Sequence, residues 1–368
     1  MRNTVFMVYL FFLSVKGSIA QTHVAPSSIL LEKVWARVAD SYGKQSLGIS
    51  VAFSPDGKFI ASGSQIDKTL ILWRTSDGSE IWRQNTPFAI KNVTWSSDSL
   101  YLMACGDDFK IHIWAVETGK LAREIPQFNT ITATAWSQKG NLLATNALDT
   151  TATESFLNQK QSIFRLYQMP EGKLLFQEKQ KEIATHIQFS KDGQTLASVN
   201  KDKIIIRKVK NPSLVRTLEG KAKTYFTSAD FTPEGRYLAA ADSTGNISVW
   251  DWQMGTLTRK IQVSNDKIEV VKWHPSGDYL MALGEEPHIS IFKLSEILLN
   301  YGEVTAFSSV FAHDWGTSFD FHPEGSLVVS AHKDGIMRLW VWLGVDIEMH
   351  KRRRAWLNEM QRIAKERD

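Results

Sequence analysis

The chain has 368 residues, 43% hydrophobic and 22% charged, with 22 Gly and 10 Pro, a composition that supplies a large core and excludes a low-complexity or disordered chain. Its formal charge of +4 becomes +2 once Arg2 and Lys16 are set aside, 41 basic against 39 acidic residues, too even a balance for a nucleic-acid partner. Cys105 is the single cysteine, so the chain forms no internal disulfide and no cysteine-rich metal site.

At the N-terminus, Met1 to Asn3 carry Arg2, an apolar run extends from Thr4 to Val15, and Ser18-Ile19-Ala20 form a small-residue end. This reads as a secretory signal over residues 1–20, cleaved after Ala20 and exporting the protein to a bacterial periplasm or beyond. The alternative is an apolar N-terminal helix kept as an anchor. Residues 21–29 read as a linker, and Leu30 to Val38 (LLEKVWARV) as a strand with no unit of its own before it.

From there one turn recurs: SPDG at Ser54, SSDS at Ser96, SQKG at Ser137, SKDG at Ser190, TPEG at Thr232, HPSG at His274 and HPEG at His322. The intervals are 42, 41, 53, 42, 42 and 48 residues, the period of propeller blades. The residue before each turn is aromatic in all seven copies (Phe53, Trp95, Trp136, Phe189, Phe231, Trp273, Phe321). At the chain's aromatic frequency, seven such matches arise by chance with odds on the order of 10⁻⁷. Eight residues after each turn begins stands a small residue: Ser62, Ala104, Thr145, Ser198, Ala240, Ala282 or Ser330. Large rings need small residues opposite them to reach native packing density. A third strand follows in each copy, alternating and β-rich, and ends at Trp73, Trp114, Tyr167, Arg207, Trp250, Phe292 or Trp340. Arg207 alone breaks that column.

These strands, with Trp250-Asp251 as a complete Trp-Asp pair, resemble the WD-repeat family over roughly residues 30 to 342. The resemblance implies an all-β fold: a seven-bladed β-propeller of four-stranded antiparallel blades, closed by the N-terminal strand Leu30 to Val38 pairing with the last blade. It also implies a non-catalytic scaffold for protein partners. The family's Gly-His start has His313 as its nearest match.

No serine-hydrolase, zincin, P-loop or dinucleotide motif is present, and no catalytic residue, cofactor or metal is expected. His274 and His322 occupy the repeated turn and read as turn residues. The acids Asp67, Asp107, Asp108, Asp202, Asp242 and Asp334 fall between second and third strands, where Asp orders tight turns. His313, His332 and Asp334 in blade seven offer a metal set as the sharper alternative. TSDGSEIW and ETGKLARE (from Thr75 and Glu117) are similar to the tryptophan-docking motif of quinoprotein propellers. They keep open a small-molecule or quinone-dependent enzyme working in the central channel. The sequons at Asn92 and Asn246 fall within strands and read as coincidental.

Two departures from the repeat carry the functional expectation. Blade three holds about twelve extra residues near Asp149 to Gln161, including Phe156, on a loop between its second and third strands. Aromatics and a histidine mark the loops before the first strands on the same side: Phe88, Phe128, Tyr225, His313 and Trp315. These are the expected partner-binding residues of a monomeric propeller. Residues 343–368 read as a basic amphipathic C-terminal helix, with Met349, Trp356, Leu357, Met360, Ile363 and Ala364 on one side behind Lys351, Arg352, Arg353 and Arg354. Its expected docking residues are Arg352, Arg353, Arg354, Trp356 and Met360. Three roles stay open for it: packing back on the propeller, docking to a partner, or a weak contact with an anionic membrane surface.

Overall fold

Each repeated turn closes on its own side chain. In blade one Ser54 Oγ donates to Asp56 (2.6 Å) and accepts the N–H of Phe59 (3.0 Å), and Ser96 and Ser190 do the same with Asp98 and Tyr101, and with Asp192 and Thr195. The fourth turn residue takes a left-handed backbone, easy for Gly57 (φ 72°) and forced on Ser99 (φ 61°) in the copy without glycine. The turn then returns the chain antiparallel, pairing for example Phe53 with Ile60.

The computed structural model describes residues 30–43, 46, 48–127, 129–149, 161–220, 224–299 and 304–343. These form seven four-stranded antiparallel sheets arranged as the blades of one propeller. The innermost strands, Ile49–Phe53, Ile90–Trp95, Ile131–Trp136, Ala184–Phe189, Phe226–Phe231, Ile268–Trp273 and Gly316–Phe321, surround a central channel. Leu30–Val38 pairs antiparallel with Ile336–Leu343, from Leu30 opposite Leu343 to Val38 opposite Ile336. Blade seven is therefore made from both ends of the described chain, the ring closure that the unpartnered N-terminal strand implies.

The seven buried apolar clusters each sit at a junction between neighbouring blades. Phe53, Ile60 and Trp73 of blade one pack with Leu327, Val329 and Leu339 of blade seven, and Leu70 and Leu72 meet Trp95 and Trp114 of blade two. No blade buries its own faces alone, which is why each copy carries large rings. The small column is more than empty room: Trp73 Nε1 donates to Ser62 Oγ (2.8 Å) and Trp340 Nε1 to Ser330 Oγ (2.7 Å). Arg207, the misfit, is buried in the same place. It donates to Ser198 Oγ (3.4 Å) and to Glu178 of blade three, and lies over the Phe164 ring at 5.0 Å.

Several sequence expectations land on defined partners. Asp242 Oδ1 accepts the N–H of Thr244 (2.8 Å) and of Asn246 (3.0 Å), the turn-ordering role expected of the loop acids. His274 and His322 lie in their turns and also reach the next one: His274 Nε2 is 2.9 Å from the Gly325 carbonyl, and the His322 ring stands against Gly57. Cys105 is buried, and burial pushes its thiol up to about 11. Blade six departs from the expected meander, since a short helix, Leu294–Leu299, precedes an outer strand of four residues, Ser308–Phe311. That insertion accounts for the 48-residue interval between the turns at His274 and His322.

Candidate interaction face

Antiparallel blades put their connections at two ends. One end carries the loops from outer strand to next inner strand together with those between second and third strands; the other carries the repeated turns and the links from third to outer strand. Among the described residues, the five Phe, Tyr and Trp rings that stand more than a third exposed, Tyr42, Phe109, Tyr225, Phe311 and Trp315, all lie at the first end. The turn end exposes Leu100, Met254 and Leu299 instead.

The densest group spans blades six and seven. Phe311 stands between His288 and His313, with ring centroids 5.6 and 5.3 Å away, and Lys333 Nζ lies 4.4 Å from the centre of the Trp315 ring. The Lys333 N–H donates to the Trp315 carbonyl (2.9 Å), fixing the loop that presents the indole to the second-to-third-strand turn beside it. A second pair, Lys201 with its ammonium 5.8 Å from the Tyr225 ring centre, repeats the arrangement on blades four and five. Flat rings with cations over them are suited to gripping a partner's apolar and acidic groups, because both remain wet until something covers them.

The structure thus gathers His313 and Trp315 in one patch and leaves Tyr225 exposed in another. It corrects Phe88: the ring is 3% exposed and stacks on His112 at 4.3 Å, so it is a core residue and offers nothing to a partner. His112 is held in turn by Asp108 (2.6 Å) and Glu124 (3.2 Å). Phe128, Phe156, Arg352, Arg353, Arg354, Trp356 and Met360 lie outside the described residues, as do the signal, the linker and most of the C-terminal segment. The base of the blade-three insertion is described: the Asp149 N–H donates to the Gln161 carbonyl (2.9 Å), and the Asp149 carboxylate pairs with Lys179 (2.9 Å). Asp149 itself is buried and belongs to the blade. Phe311, His288, Lys333, Phe109 and Tyr42 were missed; their signal was available, as rings and cations in or beside loops of the same end.

The central channel, about 680 Å³, is polar. Asp320 accepts the Phe53 N–H (2.9 Å) and pairs with Lys272 (2.7 Å), while Asp230 accepts the Trp273 N–H (2.8 Å). Burial pushes the Asp230 carboxyl up to about 7 and the nearby His186 imidazole down to about 4. These carboxylates bind the backbone of the next blade, so each ties two inner strands together.

The chain matches the family described as "WD domain, G-beta repeat" over residues 41–74, 82–115 and 306–341, and the "Anaphase-promoting complex subunit 4 WD40 domain" over residues 200–276. The first set covers parts of blades one, two, six and seven, and the second parts of blades four to six, on the seven-sheet ring. The chain carries WD repeats on a seven-bladed β-propeller. Among similar proteins, "Periodic tryptophan protein 2" of Saccharomyces cerevisiae is 23% identical over 310 residues, 79% of this chain and 30% of that protein. The "WD repeat-containing protein WDS homolog" of Arabidopsis thaliana is 30% identical over 106 residues, 27% of this chain and 20% of that protein. "COMPASS component SWD3" of S. cerevisiae is 24% identical over 233 residues, 57% of this chain and 66% of that protein. The chain therefore spans less than a third of the first two.

Blade seven holds a buried chain of hydrogen bonds through Trp340, Ser330 and His332, and His313 is no part of it. His313 is exposed with a left-handed backbone (φ 77°). His332 lies on the second strand, with its Nε2 2.7 Å from Ser330 Oγ and its Nδ1 3.0 Å from the Asp314 carbonyl. Asp334 pairs with Arg338 (2.5 Å), so His313, His332 and Asp334 point to separate partners. Among the described residues no group of three or more His, Cys, Asp or Glu is placed to hold a metal ion.

Proposed function

We propose that the protein is a non-catalytic interaction scaffold that docks a protein partner on the loop end of the propeller, with Trp315, Phe311, Lys333 and Tyr225 as anchors. The observation carrying this reading is the segregation of exposed rings to one end of a rigid ring of blades. Indole and phenol rings are the side chains that anchor interfaces, and loops on a rigid scaffold are where such anchors are usually displayed. A relative named as a component of COMPASS supports work within an assembly. Export, read from residues 1–20, is part of the proposal, and N-terminal sequencing of the native protein tests it: a mature start at Gln21 is expected, and intact Met1 on cytoplasmic protein would refute it.

The docking reading is tested by Trp315→Ala, and separately by replacing residues 150–160 with a short Gly-Ser turn that leaves the Asp149 to Gln161 closure in place. Both variants should melt within a few degrees of wild type. Trp315→Ala should weaken capture of the native partner roughly 30-fold, the equivalent of about 2 kcal/mol at a central anchor. Unchanged capture by both variants, or a stoichiometric chromophore on the purified protein, would overturn the proposal.

A further inference from the structure

At the turn end, away from the face just described, the seam between blades seven and one opens into a groove of about 730 Å³. It is lined by Phe59 and Arg74 of blade one and by His322, Glu324, Leu327 and Val341 of blade seven, and most of the surface it offers is apolar. A cavity of this size takes several large side chains. Left open, it is an apolar patch beside blade seven, the blade in which the two ends of the described chain pair.

The strand Ile336–Leu343 runs from the loop end to this groove, and its last residue lies just beyond the lining residue Val341. The sequence then continues through residues 344–368, where Met349, Trp356, Leu357, Met360, Ile363 and Ala364 recur at helical spacing. An amphipathic stripe needs a cover as much as the groove needs a filling. The stretch from Leu343 to Met349 spans at most roughly 20 Å. A tether that short holds the segment at an effective concentration in the millimolar range, above what a free partner of modest affinity would reach. The groove's lining includes an exposed acid, Glu324, opposite in charge to the run Lys351 to Arg354.

We infer that residues 346–368 fold back as a helix and seat the Trp356–Met360 face in the groove between blades seven and one, strapping the closure of the ring. The strap lies on the end opposite the proposed docking face, so the two assignments fail independently.

Two measurements on the full-length protein decide this. With p-benzoylphenylalanine at position 356, irradiation should crosslink within one chain to peptides containing residues 57–59, 74–76 or 322–327. Crosslinks joining two copies, or landing elsewhere on the propeller, overturn the assignment. In the second, the double variant Trp356→Asp/Met360→Asp, checked for an unchanged β-sheet circular dichroism spectrum, should exchange the amides of residues 57–59 and 324–326 at least tenfold faster than wild type. Added peptide 346–368 should slow that exchange again in the variant and leave wild type unmoved. Equal exchange in both proteins sinks the proposal, and binding of wild type to phosphatidylserine vesicles with equal exchange would assign the tail to a membrane surface instead.

Discussion

In blade seven the third strand brings Trp340 to the hydroxyl of Ser330 at 2.7 Å, and in blade four it brings Arg207 to the hydroxyl of Ser198 at 3.4 Å. Both side chains are flat and buried, and each donates to a serine at the same repeat position. Their surroundings differ. The indole belongs to a neutral chain: Trp340 N–H donates to Ser330, whose O–H donates to His332 Nε2, while the opposite ring nitrogen donates to the Asp314 carbonyl. The guanidinium brings a charge into the seam and depends on Glu178 from the neighbouring blade. Opposite a serine the position carries a plate with a donor, whereas Phe292, opposite Ala282, has none; a tryptophan satisfies the serine within its own blade, and an arginine only with help from the blade before.

The largest effect should come from Glu178→Ala. With its carboxylate gone, a buried cation keeps only a long bond to Ser198 and the Phe164 face, and a loss of about 3 kcal/mol is expected in denaturant unfolding. A loss below about 1 kcal/mol would mean that water reaches Arg207 and that the two blades are not comparable.

Next in size is the pH dependence that His332 contributes, separable by mutation from that of the likewise depressed His186 in blade four. Burial, aided by the neighbouring Arg338, pushes His332 down to about 4. A histidine depressed in the folded state contributes stability above its unfolded value near 6.5 and loses it as the pH falls toward 4, because the unfolded chain takes up the proton first. Between pH 7 and 5 wild type should therefore lose about 2 kcal/mol that His332→Gln does not lose. Parallel pH profiles for the wild type and His332→Gln would remove His332 from the account.

The smallest effects separate the two serines. Ser330→Ala strands the Trp340 donor and leaves His332 without its hydroxyl, which should cost about 1.5 kcal/mol. Ser198→Ala removes two long bonds, one accepted from Arg207 and one donated to the Ile205 carbonyl, both 3.4 Å, and should cost about 0.5 kcal/mol. Equal costs in thermal or denaturant melts would show that the serine is there for its size alone.

Much of the fold was legible in the sequence because its determinants are local and repeated. Each turn closes on its own first side chain, through a Ser-Asp pair in three copies, and each copy carries its ring before the turn, so the blade count and the closing strand follow from period and remainder. Arg207 could not be explained that way, since its partners Glu178 and Phe164 belong to the blade before. The helix Leu294–Leu299 was missed because six apolar-rich residues at a strand end show no period. The sequence pointed to the end of the propeller that carries the exposed rings, but named only part of those rings. Phe88 and Trp315 are the same kind of residue in the same kind of loop. Only the neighbour decides between them: His112 covers one, while Lys333 leaves the other open.

The pairing that closes the ring has a mechanical consequence. Leu30 lies opposite Leu343, so both described ends of the chain leave blade seven from the same end of one antiparallel pair. Tension applied through those two ends loads the backbone bonds between Leu30–Val38 and Ile336–Leu343 one at a time, starting at Leu30, as a zipper opens. The pairing that gives blade seven its outer strand is therefore the place where a pulled molecule opens first, while the other six blades, each continuous in the chain, bear none of the load until it has parted.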